Sequence, residues 1–113
     1  MTPHLVGIRP SSLKTKKWTA IFDDGTRVHF GGAGCGDYPL YYEHDRSMAR
    51  RKRRAYIARH RVSETWLDPT APGTLARIIL WEYPTVHRAV KKYDDTVRMW
   101  RLKPHLRYSK ITQ

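Results

Sequence analysis

Cysteine is nearly absent from this chain, acidic residues are scarce and no long apolar run occurs, and each shortage removes a class of protein from consideration. Cys35 stands alone, so no intrachain disulfide forms, and no Cys/His grouping has zinc-finger spacing. The longest uninterrupted apolar stretch is Ile78-Ile79-Leu80-Trp81, far short of the roughly 20 residues a membrane-spanning helix needs. Met1 to Pro10 has no run of signal-peptide length, so a soluble protein made inside the cell is expected. Metal and cofactor sites are not expected either. The six histidines, at 4, 29, 44, 60, 87 and 105, include no pair at helical metal-binding spacing, and no established catalytic motif is present. His60 and Glu64 fall at i,i+4, a spacing that more often marks a surface contact. Cys35 lacks an identifiable base to activate it. The expectation is therefore a protein that is not an enzyme.

What is abundant is positive charge. Twenty-two Lys and Arg face ten Asp and Glu, a formal net charge of +12 on 113 residues. Self-repulsion of that size opposes compaction unless counterions or a partner offset it. The excess is concentrated: Arg46, Arg50, Arg51, Lys52, Arg53, Arg54, Arg59 and Arg61 lie in one segment with no acidic residue between Asp45 and Glu64. A block of like charge marks an interaction surface, whereas solubility alone is served by mixed signs. The preference for Arg over Lys suits planar, bidentate contact with phosphate or carboxylate. These eight cations are the expected polyanion- or partner-binding set. Tyr38, Tyr41 and Tyr42 are candidate stacking or contact residues beside it, with packing the simpler role, while Trp18, Trp81 and Trp100 are assigned to the core.

Patterning predicts an α+β fold. Residues 1–15 hold Pro3, Gly7, Pro10 and paired serines without a sustained period, which reads as an N-terminal arm. Trp18, Ala20 and Phe22 alternate with Thr19 and Ile21, Asp24-Gly25 interrupts, and Val28 and Phe30 resume, predicting a β-hairpin over about 17–31. The segment Gly31-Gly32-Ala33-Gly34-Cys35-Gly36 resembles a phosphate loop only in its glycines. No Gly-Lys-Ser/Thr and no helix-opening pattern follows, so a tight structural crossing is expected instead. Asp45 is the predicted N-cap of an Arg-rich helix over about 46–61, whose apolar stripe is Met48, Ala55 and Tyr56 with Ala49 and Ile57 at its edges. Further helices are predicted over about 74–82, around Leu75, Ile78 and Ile79, and over about 86–100. The last is capped by Thr85 with Val86, Ala89, Val90, Tyr93, Val97 and Trp100 on one face. One compact domain over 16–101 with a basic tail over 102–113 completes the expectation.

One set of linked motifs is distinctive as a whole: Val28-His29-Phe30-Gly31, Asp37-Tyr38, Arg50-Arg51, Arg53-Arg54, Tyr56-Ile57-Ala58-Arg59-His60, Glu64-Thr65-Trp66-Leu67-Asp68-Pro69, Gly73-Thr74-Leu75 and Ile79-Leu80-Trp81. Over about residues 17–84 the chain resembles a family of small, uncharacterised basic proteins encoded by large DNA viruses of algae and amoebae, with shorter relatives in tailed phages. The resemblance implies a virion component made in the host cytoplasm or nucleus, and supplies no catalytic residue. Two functions follow as expectations. One is a minor capsid or core protein, part of a larger assembly, that bridges acidic capsid surfaces, packaged DNA or both. The other is a free, sequence-nonspecific DNA- or RNA-binding or regulatory module.

Overall fold

A computed structural model describes residues 2–108 and shows an α+β fold. Three antiparallel strands, β1 (Leu5–Pro10), β2 (Lys16–Phe22) and β3 (Arg27–Gly32), form one sheet in the order β1-β2-β3. Helices α1 (Tyr38–His44), α2 (Arg46–His60), α3 (Pro72–Leu75) and α4 (Val86–Leu102) follow; α3 runs on as a π-helical stretch over Ala76–Leu80, and a short 3-10 helix closes the described chain at Pro104–Tyr108.

The hairpin forms where alternation placed it, because Trp18 faces Phe30 and Ala20 faces Val28 across the ladder. Its turn is closed by Gly25 at φ 88°, donating its amide to Phe22 O, and by the Asp24 carboxylate, which accepts from the Thr26 amide at 2.9 Å. Hydrogen bonding to that amide and to the Thr26 side chain holds the Asp24 carboxyl below its usual range.

The N-terminal segment is not an arm. Leu5–Pro10 pairs with Phe22 to Trp18 of β2 as an edge strand, with an irregularity between Leu5 and Gly7. The Asp94 carboxylate of α4 accepts from the Leu5 amide at 3.0 Å, which ties this edge to the last helix. The tail expectation is corrected in the same way. From Pro104 to Tyr108 the chain is a helical turn packed back on the protein: Arg77 donates to Arg107 O, Arg107 donates to Thr65 O, and the Tyr108 ring meets Trp66 edge-on. Residues 109–113, including Lys110, lie outside the described part.

One core unites these elements. Ala20, Phe22 and Phe30 from the sheet meet Leu75, Ile78 and Ile79 from the third helical segment and Ala89, Tyr93, Val97 and Trp100 from α4. The α4 face repeats at three- and four-residue intervals, and Thr85 Oγ1 caps the helix by accepting from the Arg88 amide. Tyr93 packs edge-on against Phe22 and donates its hydroxyl proton to Pro69 O at 2.6 Å. The radius of gyration, 13.2 Å, is what a single domain of this length has, about 13 Å.

The helix α1 was not expected. Asp37 Oδ1 accepts from the Leu40 amide, and Pro39 sits in the first turn, where its missing N–H leaves nothing unsatisfied. The glycine-rich segment before it is indeed a close crossing. Gly31 has φ 79°, and an added Cβ there would lie 2.8 Å from Leu80 Cδ1; one at Gly36 would collide with the Tyr41 hydroxyl.

Candidate polyanion-binding face and cleft

The Arg-rich helix begins where its cap predicts, the Asp45 carboxylate accepting from the Met48 amide at 3.1 Å. Its buried face is rotated from the expected one. Ala49, Arg53, Tyr56 and Ile57 are buried while Ala55 is exposed. Four-residue steps from Ala49 to Arg53 to Ile57 show why: Arg53 lies in the middle of the inward stripe.

Arg53 is therefore no part of an outward-facing set. Its Nε donates to Trp81 O at 2.9 Å, and Nη2 donates to Glu82 Oε1 at 2.6 Å. The same Glu82 oxygen accepts from Arg77 Nη1 at 2.6 Å, and all three side chains are nearly or wholly inaccessible. Arg77 lies between the Trp66 and Trp100 rings, 5.2 and 4.8 Å from their centroids. Burial lowers its pKa, and Glu82 opposes that shift. Two guanidiniums on one carboxylate make a buried cluster with a surplus positive charge.

The other seven cations stay exposed: Arg46, Arg50, Arg51, Lys52, Arg54, Arg59 and Arg61. None of them forms an ion pair among the described residues, where every bridge involves other cations. Rings hold some of them instead. Arg46 lies 4.8 Å from the Tyr42 centroid, Lys52 5.6 Å from Tyr41, and Arg61 4.6 Å from Tyr108. Arg51 donates to Ser47 Oγ. At 100° per residue, Arg46, Arg50 and Arg54 form one row along a flank of α2, Arg51 projects outward, and Lys52 and Arg59 occupy the opposite flank.

Of the candidate rings, Tyr38 is completely buried and packs edge-on against Tyr42 at 5.4 Å, which removes it from any contact surface. Tyr41 and Tyr42 are half-buried. Trp81 and Trp100 are core residues as expected, Trp18 lies partly buried against the core, and Trp66 is buried too, at the positive φ of 59°.

The Lys52–Arg59 flank borders a cleft of about 650 Å³ that the sequence did not announce. Lys16 and Lys17 of β2, the glycine crossing, Lys52 and Arg59 of α2, and the start of α3 enclose it. Lys17 is paired, its Nζ 2.6 Å from Asp37 Oδ2. Along one wall the rings of His60, Tyr56 and Trp81 stack at 4.2 and 4.6 Å, and Tyr41 tilts onto Trp81 at 6.2 Å. Burial pushes the Tyr56 hydroxyl up to about 12. Glu64, the cleft's carboxylate, fills the space that a side chain on Gly73 would need. Cys35 also lines the cleft and is exposed.

Among the described residues, no three His, Cys, Asp or Glu side chains gather to hold a metal ion, and no helix is long and apolar enough to cross a membrane. A family model described as "Family of unknown function (DUF5754)" matches residues 6–60, a little under half of the chain, from β1 to the end of α2. No curated protein and no solved structure matches the chain.

Proposed function

We propose that this is a non-enzymatic binding protein that grips a nucleic-acid backbone through the outer face of α2. The observation that carries the reading is the set of seven exposed cations on and just after one helix, none in an ion pair among the described residues. Like charges at i,i+4 destabilise a free helix, and bound anions reverse that effect. The flank row Arg46, Arg50 and Arg54 rises about 6 Å per step, which presents guanidinium groups in a line to successive phosphates. Such contacts fix position without reading sequence.

The same proposal places the protein in a virus particle, as a minor capsid or core component whose basic face meets packaged DNA and acidic capsid surfaces. That setting rests on the string of motifs from Val28 to Trp81. Mass spectrometry of purified particles tests the setting: stoichiometric recovery with shell proteins supports it, and absence from particles contradicts it. Binding itself is tested with Arg46, Arg50, Arg51 and Arg54 all changed to Glu. Duplex affinity should fall on the order of a hundredfold or more at low salt with an unchanged melting temperature. Retained affinity would refute the reading.

A further inference from the structure

We propose that the cleft between the glycine crossing and the C-terminal half of α2 accepts one nucleotide unit, its phosphate against Lys16, Lys52 and Arg59 and its base beside the ring wall. The inference rests on the nucleic-acid reading above and assigns a second site on the same protein.

Three features converge there. First, Lys16, Lys52 and Arg59 reach the cleft from a strand and from two turns of a helix, all exposed and none in an ion pair among the described residues. Among the described residues, Glu64 is the one carboxylate lining the space. Unbalanced cations around a low-dielectric concavity focus the field on an entering anion. Second, the volume, about 650 Å³, suits a small molecule or one nucleotide of a strand, since ligand sites span roughly 300–1,000 Å³. Third, the wall is aromatic. Tyr56 and Trp81 are mostly buried and fixed by stacking, leaving Tyr41 and His60 as the half-exposed rings that a base can reach. Phosphate-binding cations beside rings are the combination that single-stranded nucleic acid uses. A base paired inside a duplex cannot enter such a concavity, so the cleft separates single-stranded from double-stranded partners.

The test uses the full chain and fluorescence anisotropy, with a short labelled single strand and the corresponding duplex as probes. Lys16→Glu should weaken single-strand binding on the order of tenfold and leave duplex binding within about twofold, because Lys16 lies away from the Arg46–Arg54 row. His60→Ala, in the ring wall and outside the set of seven cations, is the second variant and should behave alike; melting curves confirm that both fold. Free adenosine monophosphate distinguishes the sources. If it competes with the strand, the cleft also takes free nucleotide; if only the strand responds to Lys16→Glu, the nucleotide must be strand-borne. Either result supports the site. Equal loss for strand and duplex, no loss in either variant, or competition by inorganic phosphate or polyglutamate as strong as that of the nucleotide would overturn it. Should neither nucleic acid bind, the backbone reading fails. Adenosine monophosphate binding then decides alone, supporting the cleft if Lys16→Glu abolishes it and overturning the cleft if there is none.

Discussion

Replacing Glu82 with Gln should be among the most damaging conservative changes available in this protein. Its Oε1 accepts from both Arg53 Nη2 and Arg77 Nη1 at 2.6 Å, with side-chain exposures of 6%, 0% and 5% for Arg53, Arg77 and Glu82. The amide keeps the shape but removes the only negative charge in the cluster, leaving two neighbouring buried guanidiniums. Removing one partner from a buried ion pair costs about 3–5 kcal/mol, against a total stability of about 5–15 kcal/mol for a domain. With a urea m-value of about 2 kcal/mol/M for this size, the unfolding midpoint should fall by about 1.5–2.5 M. Asp95→Asn is the control. Asp95 pairs with Arg98 at 2.9 Å, but both are more than half exposed, so its loss should stay within about 0.5 kcal/mol. Adding Arg53→Met to Glu82→Gln should recover part of the loss, because one uncompensated charge goes with it. Urea unfolding followed by tryptophan fluorescence measures all three. A Glu82→Gln cost below about 1 kcal/mol, indistinguishable from Asp95→Asn, would refute the buried-cluster argument.

Alkaline pH should unfold the protein through its buried phenols. Burial raises the Tyr56 hydroxyl to about 12 and raises Tyr83 and Tyr93 as well. The folded state thus holds protons that the unfolded state releases near pH 10. That contribution to stability is complete below pH 10 and disappears as pH climbs through 12; tyrosinate absorbance should rise together with loss of circular dichroism, and full ionisation at pH 10 in a folded protein would contradict it. Gly31→Ala should cost about 1–3 kcal/mol, since φ is 79° and the new methyl would press on Leu80 Cδ1; a neutral result in urea would show the crossing to be loose. Tyr93→Phe should cost about 1 kcal/mol by leaving Pro69 O without its donor, again read in urea.

Local signals carried the hairpin, α2 and α4. Alternation around Asp24-Gly25, the Asp45 and Thr85 caps and the α4 periodicity are all short-range effects, and they place those elements to within a residue or two. The segment before β2 was misread because β1 has only six residues with Gly7 inside it, and its reason to be a strand is pairing with β2. A signal for α1 was available in Asp37-Tyr38-Pro39, a cap followed by a first-turn proline, but the glycines before it read as loop. For α2, long range decided. Glu82, 29 residues from Arg53, turns a charged position into a buried one, and no local pattern contains that carboxylate. The surviving cations were legible because nothing near in sequence opposes them. The cleft was not, since Lys16 of β2, the Lys52–Arg59 flank of α2 and Trp81 meet only through tertiary packing.

The most direct test of the central claim is the salt dependence of duplex binding by the wild-type chain and by the variant with Arg46, Arg50, Arg51 and Arg54 changed to Glu. With about six phosphate contacts, the logarithm of affinity should fall against the logarithm of salt with a slope near −5. The slope should shrink by about 3–4 in the variant. A wild-type slope between zero and −1, or one that the four substitutions leave unchanged, would contradict the account.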